Sequence, residues 1–197
     1  KNRIKKTTLN KVCKYKYSGL FFCLIPELVK SITGTDFENY LNSSFYKFLN
    51  YKLTFNPYKN HTLKKIVPTE IDQFFRQELV HGNVHDETSA LMGGISANSG
   101  LFSSAENLAK LLFLLTHENS ILINPEVFKN FTQNQIKNDT LNQRGLGFDK
   151  VRFVSNGSKI YPHHNLSKDS FGHTGFTGTM YWICLLYTSP SPRDRTR

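Results

Sequence analysis

This sequence of 197 residues is poor in cysteine, tryptophan, acidic residues and long apolar runs, and each shortage excludes something. The three cysteines, Cys13, Cys23 and Cys184, are odd in number and lack the paired spacing of a metal site, so buried free thiols are the expected state. No apolar run approaches the roughly 18 residues of a membrane-spanning helix. The best one, Leu20 to Ile25, stops at Pro26, so no membrane span is encoded here. Twelve glycines and seven prolines are too few for a collagen-like or low-complexity chain, and sixteen phenylalanines argue against disorder.

Acid is scarce as well, with 15 Asp and Glu against 25 Lys and Arg, a formal charge of +10. The excess is local. Lys1, Arg3, Lys5, Lys6, Lys11, Lys14 and Lys16 crowd the first sixteen residues without one acid, and Arg193, Arg195 and Arg197 face only Asp194 at the other end. The body between is close to neutral. No stacking aromatics or base-reading motif accompany the charge, so no nucleic-acid partner is expected.

What remains is a chain long enough for one domain, or a large piece of one, with a substantial core. Thr35-Asp36-Phe37-Glu38 has the form of a capping box and predicts a helix to about Phe48. Ser103-Ser104-Ala105-Glu106 has the same form, and Leu108, Leu111, Leu112 and Leu115 then mark one helical face to about His117. Asn124-Pro125 supplies a cap and a first-turn proline for a helix through Phe131. Leu20 to Ser31 is apolar at helical spacing, broken by Pro26 and stopped by Thr33-Gly34. Asn56 to Ser103 reads as loops with a short helix near Glu70 to Leu79, while Arg144 to Val154 and Ser170 to Ile183 read as strands. Helices first and strands last predict an α+β fold. The final stretch, CLLYTSPSPRDRTR, has no periodicity and resembles translated adapter sequence, so residues 184–197 are expected to be a non-native tail after a domain of residues 1–183.

Four groups could carry chemistry. They are Tyr17-Ser18-Gly19 before an apolar helix, the cluster His81, His85, Asp86 and Glu87, the run Gly93-Gly94 to Phe102, and Phe171-Gly172-His173-Thr174-Gly175-Phe176-Thr177-Gly178-Thr179. Glycines at 172, 175 and 178 weaken a strand and are kept where another backbone or a ligand must come close. His173 and Thr174 then put a titratable ring and a hydroxyl on the same edge. The two histidines at 81 and 85 have an i, i+4 spacing, but Gly82 and Asn83 disfavour the continuous helix a zinc site needs, and no Glu follows the first histidine. A hydrogen-bonded loop is the better reading. His61, His117, His163 and His164 are expected at the surface. Gly93-Gly94 is not a phosphate loop, because no Gly-Lys-Ser/Thr follows.

In this order, with Thr33-Gly-x-x-Phe-x-x-Tyr40, Pro68-Thr-Glu70, Gly100-Leu-Phe-Ser103 and Arg144-Gly-Leu-Gly-Phe148 between them, the groups resemble the serine β-lactamase-related family. That family includes class C β-lactamases, penicillin-binding DD-peptidases and esterases. The resemblance spans roughly residues 12 to 183 and looks most like a bacterial branch that can carry an attached glycoside hydrolase domain. It implies an antiparallel sheet flanked by helices with a mostly helical lobe, and acyl transfer from a serine in a Ser-x-x-Lys motif, without cofactor or metal. Tyr17 then matches the motif tyrosine that takes the serine proton, and Ser18 and Gly19 line the substrate. His173, Thr174 and Gly175 match the opposite strand: His173 supplies a proton or positive potential, Thr174 a hydrogen bond to substrate, Gly175 room. The backbone N–H of Phe176 becomes an oxyanion-hole donor. The substrate implied is a small molecule or a cell-wall peptide, and the location periplasmic or exported.

Two departures matter. Gly19 stands where the family usually has Asn or Asp. The only literal Ser-x-x-Lys of this order, Ser44-Phe45-Tyr46-Lys47, follows the tyrosine motif instead of preceding it, so it is rejected as the nucleophile. The serine is expected to lie before the first residue, and these 197 residues are expected not to turn over alone. Two rivals stand beside this reading: a cell-wall peptide-binding pseudoenzyme, motivated by Gly19, and a metal hydrolase centred on His81 and His85.

Overall fold

In the computed structural model, residues 6, 8, 15–49, 53–117, 120–136, 139, 142–153, 159–162 and 165–184 are described. They divide into two units, Lys1–His117 and Glu118–Arg197. Among the described residues every strand pairing is antiparallel, and helices and small sheets are mixed, an α+β arrangement. Among the described residues no helix is long and apolar enough to cross a membrane. Cys13 and residues 185–197, which include nearly all of the expected tail, lie outside the described residues.

The first unit begins with a 3-10 turn, Phe22–Leu24, that runs into helix α1, Ile25–Thr33. Pro26 therefore sits in the first turn of α1, where its missing N–H costs nothing, and does not interrupt a helix begun at Leu20. The predicted stop holds: Gly34 ends the helix with φ +71° and returns its N–H to the Lys30 carbonyl. Helix α2, Phe37–Ser44, starts at Asp36, but the capping box does not form. The Glu38 carboxylate instead accepts from the Phe55 N–H at 3.3 Å, and the helix ends at Ser44 with a separate 3-10 turn at Tyr46–Phe48.

Strand β1, Thr54–Phe55, is the next regular strand. After it, the predicted helix near Glu70 to Leu79 is replaced by an antiparallel hairpin, β2 (Ile71–Asp72) against β3 (Glu78–Leu79). The cause is Asp72. Its Oδ1 accepts from the N–H groups of Phe74 and Phe75 at 3.0 and 2.9 Å, and its Oδ2 from the Arg76 N–H and guanidinium at 3.0 and 3.1 Å, which ties the chain into a turn. Arg76 also donates to the carbonyls of Val84 and His85, pinning the hairpin to the following loop. Helix α3, Glu87–Leu91, is capped by Asp86, and β4, Leu101–Phe102, pairs with β1. Helix α4, Ala105–Thr116, ends where its leucine face predicts, but its cap is Ser104, one residue later than the box pattern suggests, and Glu106 pairs with Lys110 instead. Cys23, Tyr46, Leu53, Phe55, Val80, Val84 and Leu111 form the buried side of this unit.

In the second unit, Asn124 caps helix α5, Pro125–Thr132, as predicted, accepting from the N–H of Glu126 at 2.8 Å. The region read as one strand over Arg144 to Val154 holds a bridge at Arg144 and two short strands, β5 (Asp149–Lys150) and β6 (Arg152–Phe153). β6 pairs with β7, Lys159–Tyr161. The last region is a hairpin and not one strand: β8, Phe171–Thr174, turns through Gly175–Thr179 into β9, Met180–Ile183. β5, β8 and β9 make one sheet, with Asp149 opposite Gly172 and His173 opposite Tyr181. Phe171, 1% exposed, meets the rings of Phe128 and Phe148 edge-on at 5.7 and 5.2 Å. Burying that ring contributes about 1.5–3 kcal/mol and anchors the strand that carries His173.

The Asp72 turn gives a pH test. Hydrogen bonds from the Phe75, Phe74 and Arg76 amides and the Arg76 guanidinium hold its carboxyl down at about 2, against a partial opposing push from burial. The folded value lies below the ordinary value near 3.8, so this contribution is complete above about pH 4 and drains as pH falls through about 2. Asp72→Asn should lower the unfolding midpoint of the full chain at neutral pH and remove most of the loss between pH 4 and 2 that the parent shows. A parallel fall in both proteins, followed by circular dichroism across that window, would discard the turn as the acid-sensitive element.

Candidate functional site

The residues expected to face a substrate fall into two groups, one in each unit: Tyr17, Ser18 and Gly19 in the first, His173 to Phe176 in the second.

In the first, Ser18 Oγ accepts from the Leu20 N–H at 3.2 Å, and the Gly19 carbonyl accepts from the Cys23 N–H at 3.3 Å, so the three residues form the turn that starts the 3-10 entry to α1. Tyr17 is exposed at 60%. Beneath the turn lies Asn98, a residue that the motif order does not single out. A Cβ placed on Gly19 would meet the Asn98 side chain at 3.5 Å. Asn98 Oδ1 accepts from Ser89 Oγ at 2.9 Å, Ser96 Oγ at 2.5 Å and the buried free thiol of Cys23 at 3.3 Å. Its Nδ2 donates to Asp86 Oδ1 at 3.2 Å. One amide thus joins the α1 entry, the cap of α3 and the Ser96–Ser99 loop. The signal in the sequence is faint: a polar Ser-Ala-Asn-Ser inside an otherwise apolar loop.

The histidines of this unit serve the same loops. His81 Nε2 lies 2.7 Å from the Ile66 carbonyl, and His85 Nε2 2.6 Å from Glu70 Oε1. Each ring reaches back fifteen residues, to a different partner. His61 and His117 are exposed, as expected, and His163 and His164 lie outside the described residues. Ser44 and Lys47 are split between the end of α2 and the next 3-10 turn.

In the second unit, His173 and Thr174 sit at the end of β8. Arg144 Nη1 stands 3.4 Å from His173 Nε2, and His173 Nδ1 2.7 Å from the Thr174 carbonyl oxygen. Arg144 is itself held by Asp149, whose Oδ1 lies 2.5 Å from Nη1 and whose side chain is buried at 3% exposure. Tyr161 Oη donates to Asp149 Oδ2 at 3.1 Å and lies 3.4 Å from Thr174 Oγ1. Burial, with the Asp149 charge adding to it, pushes the Tyr181 phenol up to about 12. The Tyr161 phenol is raised too, first by burial and further by Asp149. A single buried carboxylate therefore stands behind both expected site residues of this strand. Arg144 belongs to the Arg-Gly-Leu-Gly-Phe motif, but Asp149 and Tyr161 carry no sequence signal, because the β5–β8 pairing brings the first to β8 and side-chain contacts alone bring the second.

The glycines of this strand differ in what they do. A Cβ on Gly172 would collide with the Tyr181 carbonyl oxygen and stand 2.7 Å from the Trp182 ring, so the β8–β9 contact requires a glycine. At Gly175 the nearest obstacle is the Thr179 hydroxyl at 2.6 Å, and its N–H donates to the Thr179 carbonyl at 2.6 Å to close the turn. Phe176, at the tip, is 91% exposed.

No family model matches the chain. It is similar to proteins provisionally named D-alanyl-D-alanine carboxypeptidase. Those of Salmonella gallinarum and Salmonella schwarzengrund are each 31% identical to it, and that of Salmonella enteritidis is 30% identical. Each likeness covers 90% of this chain and 44% of the relative, so the chain spans less than half the length of the curated proteins it matches.

Gly19 and Gly172 should respond in opposite ways to alanine. At Gly19 the backbone is outside the left-handed region and a Cβ makes ordinary contact, so Gly19→Ala should stabilise the full chain by about 0.4–1 kcal/mol through the unfolded state. Gly172→Ala forces the sheet apart and should cost about 1–3 kcal/mol or more. Urea midpoints separate the two, and equal losses at both positions would contradict the packing described for Gly19.

Proposed function

We propose that this chain is part of the catalytic domain of a serine DD-peptidase with a β-lactamase-like fold, acting by acyl transfer on a D-alanyl-D-alanine peptide of the cell wall. The observation that carries this reading is the His173-Thr174 edge on β8, backed by Arg144, Asp149 and Tyr161, in a chain similar to proteins named for that activity. A serine Oγ attacks the peptide carbonyl carbon, the C–N bond breaks, the amine leaves with a proton, and water then releases the acyl group from the serine. Tyr17 takes part in moving the serine proton. His173 and Thr174 contact the substrate, and the N–H of Phe176 stabilises the oxyanion. Ser18, Gly19 and Gly175 border the substrate. The Ser-x-x-Lys that this chemistry needs does not occur ahead of Tyr17 in these 197 residues, so in this reading the chain alone forms no acyl-enzyme. The substrate places the protein in the periplasm or outside the cell, and an attached glycoside hydrolase domain would act on the same wall.

Gly19 favours a second reading, a pseudoenzyme that binds cell-wall peptides without turnover. Labelling with a fluorescent penicillin distinguishes the two. The protein that carries this chain, expressed in its natural reading frame, should take up one equivalent of label. His173→Ala should slow that labelling about 10²-fold, the usual cost of misplacing a group that lines the substrate. The 197 residues alone should take up none. A stably folded protein that includes an upstream Ser-x-x-Lys and remains unlabelled, yet binds a D-alanyl-D-alanine peptide, would establish the binding reading instead.

A further inference from the structure

Two contacts of the His173 ring favour one form of it. The carbonyl oxygen of Thr174, 2.7 Å from Nδ1, can only accept a hydrogen bond, so Nδ1 carries a hydrogen. The guanidinium of Arg144, 3.4 Å from Nε2, can only donate, so Nε2 presents its lone pair. An imidazolium would set an N–H against an N–H there. The guanidinium is held where it stands by Asp149, 2.5 Å away and 2% exposed as a residue, and the second oxygen of that carboxylate is tied to Tyr161. β5 brings Asp149 opposite Gly172, one residue before His173, so the sheet itself delivers the carboxylate to the strand.

We propose that Asp149 and Arg144 are positioning residues that lock His173 in its neutral Nδ1–H tautomer. This deepens the reading given above and rests on it for its catalytic meaning. The Arg144 guanidinium is charged throughout the working range but is balanced by the Asp149 carboxylate, so its part is to orient the ring and not to add net positive charge to the edge. His173 then contributes a fixed ring orientation and a bond to its own strand, with Nε2 turned to Arg144.

The test needs no turnover, so an error in the tautomer and an error in the reaction class would be told apart. The full chain is labelled with ¹⁵N-histidine, and long-range proton–nitrogen correlations are recorded at about pH 8, above the ordinary histidine range. His173 is assigned by the signals that vanish in His173→Gln. The expected spectrum shows Nδ1 protonated and Nε2 unprotonated, in one tautomer. Arg144→Gln leaves a buried carboxylate unpaired and can fail to fold, so the deciding variant is Arg144→Gln with Asp149→Asn, which removes the pair as a unit. In that double variant the single pattern should give way to an averaged mixture of tautomers. An averaged or Nε2–H pattern in the parent overturns the proposal by itself, as does an unchanged pattern in the folded double variant.

Discussion

The second unit depends on a carboxylate that has been taken out of water. Asp149 lies at the junction of β5 and β8 at 2% exposure, and a charge so placed is tolerated only if both of its oxygens are partnered. Arg144 meets one as an ion pair without a well-formed hydrogen bond, and Tyr161 donates a hydrogen bond to the other. The pair adds little net stability as such, since desolvation offsets most of the attraction, but losing one partner would cost about 3–5 kcal/mol. Asp149 thereby fixes three things at once: the bridge at Arg144, the end of β7 at Tyr161, and the surroundings of His173 and Thr174. The strand needs that help, because two of its four residues are poor strand formers, Gly172 for its entropy and His173 for its polarity. Its own contribution is Phe171, wedged against Phe128 and Phe148.

The first unit solves a different problem with similar means. From Asn56 to Ser103 its strands are two residues long, so ladders cannot satisfy the buried backbone and side-chain polar groups. Two polar hubs do so. Asp72 gathers three amides and a guanidinium into the β2–β3 turn, and Arg76 carries the connection on to the Val84 and His85 carbonyls. Asn98 joins Ser89, Ser96, Cys23 and Asp86. His81 and His85 fasten the same loop to Ile66 and Glu70, which is why a pair of histidines at metal-like spacing is spent on loop closure.

What could be read beforehand is local chemistry with one dominant partner. Asn124 before Pro125 has a helix end to cap and no competitor, and Gly34 has a left-handed turn to fill. Where a distant group competes, local pattern loses. Glu38 fits the box rule but is taken by the Phe55 N–H, seventeen residues on, and the segment from Glu70 to Leu79 has apolar residues at helical spacing but is folded back by Asp72. The site divides along the same line. His173-Thr174-Gly175 and Tyr17-Ser18-Gly19 are legible because motif residues are contiguous. Asp149, Tyr161 and Asn98 are not, because strand register and loop packing bring them there from distances that no periodicity encodes.

Gly19 is the point at which the two functional readings separate, and its surroundings sharpen the choice. Gly34 and Gly172 are glycines that the fold requires, one by its dihedral angle and one by collision with β9. Gly19 is neither: its backbone suits any residue, and a Cβ would rest in ordinary contact with Asn98. The missing polar side chain is therefore a fact about chemistry and not about folding. Nor is Asn98 placed to substitute for it, since its amide is already committed on both ends to the loops beneath the turn. In the proposed reading, a substrate at the Tyr17 turn would meet a smooth backbone where the family pattern it resembles has an amide or a carboxylate. If acyl transfer occurs there, its orientation comes from groups other than residue 19, the Tyr17 phenol and the Thr174 hydroxyl among them, and that is a narrower requirement than the family pattern imposes.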